Sequence, residues 1–374
     1  MRVGLILDRF DLAGGGLERW TVGLAEFLAG AGHAVEVLAF GAAPGPGVRV
    51  HLLEPRRGLL ARARAVEARL AELRLDVVLD TGTSCSGDVF LPCTGSRRLS
   101  QRQLVATHSK LRRLRAALSP RSRWLDWSMG WLEREQVRRA RRVIAVSARV
   151  RDLLCRQHGM ARERVVVIPN GVDTSRFAPE RMAALRPAAR ARLGVGDATV
   201  FLGSAHNLPL KGMDTAIRAL PEGVVLLIAG GVPDAAWQRL AASKSGRVRF
   251  LGSVIDMAPL FAAADVLVHP TRWDACSLST IEAGAAGMPA ITTTRNGAAE
   301  LIRDGETGFI LPDPEDIAAL AERMRRLLDP ALRARMGAAA RAASAAHDVR
   351  ANYRAVEAVL AANSRDCNAP AAAR

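Results

Sequence analysis

DVLVHPTRWDACSLSTIEAGAAGMPAITTT, residues 265–294, holds a β-branched run (265–271), a loop, a short helical stretch stopped by Gly287 and Pro289, and a second β-branched run (289–294). Strand, helix and strand in a stretch of about 30 residues make the βαβ unit of a parallel sheet. Loops that follow such strands gather at the carboxyl edge of the sheet, where doubly wound folds bind ligands. This loop sets one carboxylate at its mouth, Asp274, and a second a turn into the helix, Glu282.

The same rhythm runs outward in both directions. Strand candidates in the first half are 2–8, 34–40, 48–54, 76–80, 88–93, 143–147 and 164–169; the second half restarts with 198–204, 223–230, 248–252, 265–271, 289–294 and 308–312. Amphipathic stretches rich in Ala, Leu and Arg separate them, and three more helical stretches follow at 314–328, 330–345 and roughly 349–362. Between the halves, PNGVDTSRFAP (169–179) has a Pro-Asn-Gly turn and no period, as a linker does. The expected fold class is α/β, with two Rossmann-like, doubly wound domains facing one another across a cleft. Residues 364–374 are polar and Ala-rich without period and are expected to fray.

A chain of 374 residues with 49% hydrophobic content suits two domains better than one. No run of about 18 apolar residues occurs, and the N-terminus opens a strand where an export signal needs a charged and then an apolar region. A cytoplasmic location is expected. The five cysteines (Cys85, Cys93, Cys155, Cys276, Cys367) are scattered without metal-binding spacing, so reduced thiols and no metal are expected.

The net charge of +16 raises nucleic acid, an anionic membrane or phosphorylated ligands as partners. From Arg97 to Arg142 there are fourteen Lys/Arg against Asp126, Glu133 and Glu135, and three of the six tryptophans (Trp124, Trp127, Trp131) fall there. Their spacing puts the indoles on one helical stripe beside Leu125 and Met129. Such a helix lies on a headgroup surface, or else its stripe faces the core and its arginines are solvated. Nucleic acid is not expected, because no RNA-binding motif or zinc finger occurs and the basic region is confined to one segment.

Three loops could carry chemistry. DLAGGGLERW (11–20) opens a helix with Gly14, Gly15 and Gly16, which lets free N–H groups approach an anion; the alternative is a flexible helix start with no ligand. GSAHNLPLKGMDTAIRAL (203–220) places Lys211 before Gly212 at another helix start, in a chain where only three of 53 basic residues are lysine. A compact ammonium there suits a diphosphate; a chance surface lysine is the alternative. In the opening stretch, Asp274 and Glu282 suit two hydroxylated groups of one extended ligand, with the amides of Ala275, Cys276, Ser277 and Leu278 unpaired and aimed inward. Alternatively, Glu282 serves as a local cap or ion pair.

Taken together, the glycine loop, AVSARVRDLL, RVVVIPNGVDTSRF, the Lys-Gly pair, D-x7-E with EAGAAGMP, and NGAAELIRDGETGFIL resemble the retaining GT-B glycosyltransferases of family 4, most closely the lipopolysaccharide core glucosyltransferase branch. The resemblance implies an acceptor-binding domain over 1–172, completed by a helix at about 346–363, and a nucleotide-sugar domain over 173–345. It implies that Glu282 takes the ribose hydroxyls, Asp274 the sugar hydroxyls, Lys211 the diphosphate, and the amides of Ala275–Leu278 the sugar and phosphate oxygens. Gly15 and Gly16 would reach the donor phosphates, and His108 in VATHSKL would lie near the donor sugar. Two positions depart from the family: its first acid is usually Glu, one methylene longer than Asp274, and an arginine usually precedes the lysine. His206 or an arginine from elsewhere would have to take that second place.

The resemblance further implies front-face transfer with retention, in which the leaving diphosphate accepts the acceptor's proton. The enzyme then positions the reactants and stabilises charge without a metal. The co-substrate would be a UDP-sugar, UDP-glucose by that branch, and no cofactor is needed. The acceptor would be a lipopolysaccharide-core or other lipid-linked glycan, reached by docking the 97–142 segment on the anionic inner face of the membrane. The rivals are a nucleotide-sugar 2-epimerase, a glycogen-like synthase, and a non-catalytic basic binding protein of the same fold.

Overall fold

Near-continuous apolar strands form where both faces of a parallel sheet are covered. In the computed structural model, residues 1–12, 14–42 and 48–365 are described, apart from the side chain of Leu111. Cys367 and most of the 364–374 tail lie outside them. The chain forms two compact units, Met1–Pro169 with Asn352 onward, and Asn170–Ala351.

Unit 1 runs β1 (Arg2–Ile6), β2 (Arg9–Phe10), α1 (Gly16–Gly30), β3 (Ala34–Ala39), β4 (Gly41–Ala42), β5 (Arg49–Leu52), α2 (Leu59–Ala71), β6 (Val77–Asp80), β7 (Val89–Phe90), α3 (Arg97–Ala106), α4 (Lys110–Leu118), α5 (Pro120–Arg139), β8 (Arg142–Ala145), α6 (Ala148–His158) and β9 (Val165–Val167). Its seven-stranded sheet has the order β5-β3-β1-β6-β7-β8-β9, and every pairing is parallel. Ile6, Leu38, Val66, Leu75 and Val78 form an apolar cluster between α2 and the sheet. The sequence pattern missed only the two-residue pair β2 and β4, which is too short for periodicity to register.

Unit 2 runs α7 (Pro179–Leu193), β10 (Thr199–Ala205), α8 (Met213–Ala219), β11 (Val224–Gly230), α9 (Ala235–Ala242), β12 (Val248–Gly252), α10 (Ala258–Ala263), β13 (Val266–His269), α11 (Leu278–Ala285), β14 (Ala290–Thr293), β15 (Gly308–Leu311), α12 (Ile317–Arg326) and α13 (Pro330–Ser344). The sheet order is β12-β11-β10-β13-β14-β15, again all parallel. Phe201, Ile217, Leu226, Ile228, Val266, Ile291, Phe309 and Leu320 are buried together, and full burial of each such side chain contributes about 1.5–3 kcal/mol. Both sheets are thus the doubly wound, Rossmann-like arrangement that the patterning implied.

A last helix, α14 (Val349–Ala362), starts in unit 2 and from Asn352 belongs to unit 1. There Trp20 Nε1 donates to Asn352 Oδ1 at 2.8 Å and Tyr353 Oη donates to the Trp20 carbonyl at 3.2 Å.

Candidate functional site

In unit 2 the strand order reverses between β10 and β13, which are neighbours. A crevice opens at the carboxyl ends of strands at such a reversal. The loop after β10 carries Lys211, and the loop after β13 carries Asp274. The structure brings them together: Lys211 Nζ lies 2.5 Å from Asp274 Oδ2.

The lysine loop owes its course to local bonds. Asn207 accepts from the amide of Leu210 through Oδ1 and from that of Lys211 through its carbonyl. Gly212 then turns with φ +66°, in the left-handed region that favours glycine. The carbonyl of Leu210 accepts from Thr271 Oγ1 at 3.1 Å and from the amide of Arg272 at 2.9 Å, which ties the loop to the β13 segment. The Arg272 guanidinium reinforces the tie: it is bidentate to Asp214 (2.8 and 2.9 Å), bonds both oxygens of Glu315, and donates to the Pro209 carbonyl. Arg272 is an arginine beside the lysine, but its donors are committed to the protein.

Asp274 is held by its backbone as well. Its amide donates to the Arg295 carbonyl at 3.1 Å, and its carbonyl accepts from Gly297 at 3.0 Å. Burial pushes the Asp274 carboxyl up, but the Lys211 ammonium and the His269 ring outweigh it and hold the acid well below the usual carboxylate range. It is therefore an ionised acceptor. His269, the last residue of β13, approaches the same oxygen with Nε2 at 3.2 Å. Burial pushes that imidazole below its ordinary value, which leaves it neutral near pH 7.

The loop from Ala275 to Leu278 departs from the expectation of four unpaired amides. Ser277 donates its amide to Asn296 Oδ1 at 3.1 Å, because Asn296, buried after β14, reaches across to brace the loop. The Asn296 amide group also donates to Thr280 Oγ1 and Thr292 Oγ1. Ser277 Oγ caps α11 by accepting from the amide of Thr280. The amides of Cys276 and Leu278 have no hydrogen-bond partner among the described residues. Burial pushes the Cys276 thiol up to about 12, so it stays protonated. Glu282 is half-buried on α11, one turn along, as the spacing implied.

The other candidates lie in unit 1. Gly15 caps α1 and Gly16 is its first residue. A Cβ on Gly14 would meet Glu18 Cβ at 2.7 Å, so a close side-chain approach, and not a positive φ, calls for glycine there. His108 is exposed on the turn between α3 and α4. The indoles of α5 are exposed and not core: Trp124 at 61%, Trp127 at 50% and Trp131 at 40%. Trp124 and Trp127 stack with centroids 4.9 Å apart. Among the described residues no helix is long and apolar enough to cross a membrane, and no group of three or more His, Cys, Asp or Glu is arranged for a metal ion.

Sequence reasoning missed His269, Arg272 and Asn296. Each had a signal, since all three sit within three residues of the carboxyl end of β13 or β14.

Two all-parallel Rossmann-like sheets, with an acid-bearing loop at the switch point of the second, define the GT-B class of fold. The chain belongs to the family 4, or group 1, glycosyltransferases: the model of Glycosyltransferase Family 4 matches residues 14–176 and that of Glycosyl transferases group 1 matches residues 196–330. It is 37% identical over 230 residues to a D-inositol 3-phosphate glycosyltransferase of Streptomyces avermitilis, a match that covers 56% of this chain and 49% of that protein. It is 35% identical over 193 residues to a GDP-mannose-dependent monoacylated alpha-(1-6)-phosphatidylinositol monomannoside mannosyltransferase of Corynebacterium glutamicum, covering 47% and 50%. The chain thus spans about half the length of these curated relatives. The crystal structure of WaaG, a glycosyltransferase involved in lipopolysaccharide biosynthesis, superposes with a TM-score of 0.80 over 96% of this chain and 99% of that one, at 21% identity, a likeness of fold.

Proposed function

We propose that the protein is a retaining, metal-independent hexosyltransferase that moves a sugar, glucose on our reading, from a nucleoside diphosphate donor to a lipid-linked glycan. The observation that carries the proposal is the Lys211–Asp274 pair at the unit 2 switch point. A diphosphate leaving group needs a cation that can come to it, and Lys211 has one on a flexible stem. A sugar needs hydroxyl acceptors, and an ionised Asp274 is acceptor-only. The free amides of Cys276 and Leu278 at the start of α11 suit oxygens of the sugar and diphosphate, and Glu282 suits the ribose. On this reading unit 2 is the donor domain and unit 1 the acceptor domain; the roles of Gly15, Gly16 and His108 rest on the family resemblance.

The donor's base is the open choice that the experiment resolves. One relative's name specifies GDP-mannose, whereas the motif resemblance favours UDP-glucose. Calorimetry of UDP, GDP, UDP-glucose, UDP-N-acetylglucosamine and GDP-mannose against wild type and Glu282→Ala tests the site. Selective binding of one nucleotide, lost in the variant, is the expected result. A wild type that binds none of them rejects the proposal.

The acceptor side rests on the cationic helices of unit 1. Exposed Leu114, Leu118, Trp124 and Trp127 on α4 and α5 stand among arginines, and a groove of about 480 Å³ beside them is lined by Arg102, Arg113, Arg123 and Leu125. Apolar rings within a positive field suit peripheral docking on an anionic membrane surface, at its inner face. Each basic residue near such a surface adds about 1 kcal/mol, screened by salt. Flotation with phosphatidylglycerol vesicles should show binding that falls as NaCl rises, and salt-insensitive behaviour would remove this part.

A further inference from the structure

The two ring nitrogens of His269 have different surroundings. The residue is 1% exposed; Nε2 faces Asp274 Oδ2 at 3.2 Å, while Nδ1 is buried with no hydrogen-bond partner among the described residues. A neutral imidazole has one donor and one acceptor nitrogen. The acceptor turned toward a carboxylate would set lone pair against lone pair, so the proton belongs on Nε2. Nδ1 is then a bare acceptor in the interior, a standing cost that an apolar side chain of similar volume would avoid. The fold carries that cost at a histidine that touches the site's acid.

The other groups around the carboxylate show what the histidine supplies. Asp274 Oδ2 is shared between Lys211 Nζ and His269 Nε2, and no described residue hydrogen-bonds Oδ1. Lys211 has a flexible stem and a side chain 21% exposed, whereas the imidazole closes a strand whose neighbour Thr292 donates to the His269 carbonyl at 3.0 Å. When a diphosphate draws the ammonium away, the histidine is the partner that stays.

We infer that His269 is a positioning residue for recognition of the transferred sugar: its Nε2–H pins Asp274 Oδ2, so that Oδ1 stays presented to a sugar hydroxyl after Lys211 has turned to the diphosphate. This rests on the donor reading above and adds a residue to it. The inference separates two ligands, since a nucleoside diphosphate without its sugar does not use Asp274 Oδ1.

The test compares full-length wild type, His269→Gln and His269→Leu. Gln places an amide N–H near the position of Nε2, and Leu fills the space without a donor. Binding of UDP and GDP is measured beside binding and turnover of UDP-glucose and GDP-mannose. With His269→Leu, kcat/KM for the sugar nucleotide should fall by about 10- to 100-fold, the effect of one hydrogen bond to a charged group, while nucleoside diphosphate binding is unchanged; His269→Gln should recover most of the loss. Equal weakening of both ligands would mean a packing role and would overturn the inference, as would an unaffected Leu variant. If the Leu variant does not fold, ¹⁵N NMR of the wild-type imidazole decides, because protonation at Nδ1 is incompatible with the inference. A wild type that binds no nucleotide at all would reject the donor reading instead, and this inference with it.

Discussion

The carbonyl oxygen of Pro270 lies where a side chain at Gly212 would begin: a Cβ built on Gly212 would be 2.0 Å from it. The glycine after Lys211 is therefore doubly required, by this approach and by its φ of +66°. Gly212→Ala must push the lysine loop off the β13 segment. We expect a loss of more than about 1 kcal/mol of stability, read by urea denaturation, together with weakened nucleotide binding. An alanine variant of wild-type stability would show that the loop and strand are less tightly joined than the structure has them.

Asp274→Asn removes the charge that neutralises Lys211 in the ligand-free chain. Binding of a nucleoside diphosphate should be retained or tightened, because the ammonium is released, while turnover of the sugar nucleotide falls by about tenfold or more. Lys211→Ala should show the opposite balance and lose the diphosphate. Calorimetry with UDP or GDP beside steady-state kinetics separates the two patterns; parallel losses in both variants would contradict a divided role.

Asp126 on α5 holds Arg98 and Arg102 of α3 through four hydrogen bonds of 3.1 Å and one of 2.7 Å. The Arg98 guanidinium bonds hold its carboxyl down at about 2, against the opposing effect of burial, compared with about 3.9 in an unfolded chain. A depressed pKa stabilises the fold above the unfolded value and loses that contribution as pH falls through the folded one. Wild type should therefore lose more stability than Asp126→Asn between about pH 4 and pH 2. Chemical denaturation at a series of pH values measures it, and identical pH slopes for the two proteins would refute the clamp.

Trp124 and Trp127 stack on each other in solvent and contribute little to the core. The double change Trp124→Ser with Trp127→Ser should leave the melting temperature within a degree or two, about what a surface substitution costs, and reduce binding to anionic vesicles. Unchanged vesicle binding would leave the arginines alone responsible; a large drop in melting temperature would place the indoles in the core after all.

The central strands were legible because a strand buried on both faces leaves a contiguous apolar run, as in β11, whereas the edge strand β5 is exposed at Arg49 and Leu52 and showed as a β-branched alternation; all thirteen strand candidates appear in the two sheets. The site was legible only in part. Lys211, Asp274 and Glu282 follow strands at the switch point, where topology predicts ligands. His269 fell inside the strand candidate 265–271, Arg272 was one of many arginines and drew no reading, and Asn296 entered only as the first residue of the NGAAELIRDGETGFIL motif. Their functions depend on what they touch across the loops, which linear spacing does not encode. Ser277 shows the same limit: its amide looked free in sequence, and only the distant Asn296 takes it.

Trp20 meets its partner Asn352 only across 332 positions of chain. During synthesis, α1 and its sheet emerge before unit 2, while Asn352 and Tyr353 of α14, which meet Trp20 and Phe27, are made after it. Contacts of such separation form late and at high loop-closure cost. Unit 1 thus leaves the ribosome before unit 2 yet is completed after it, and until then this part of its surface is exposed to chaperones and to neighbouring chains.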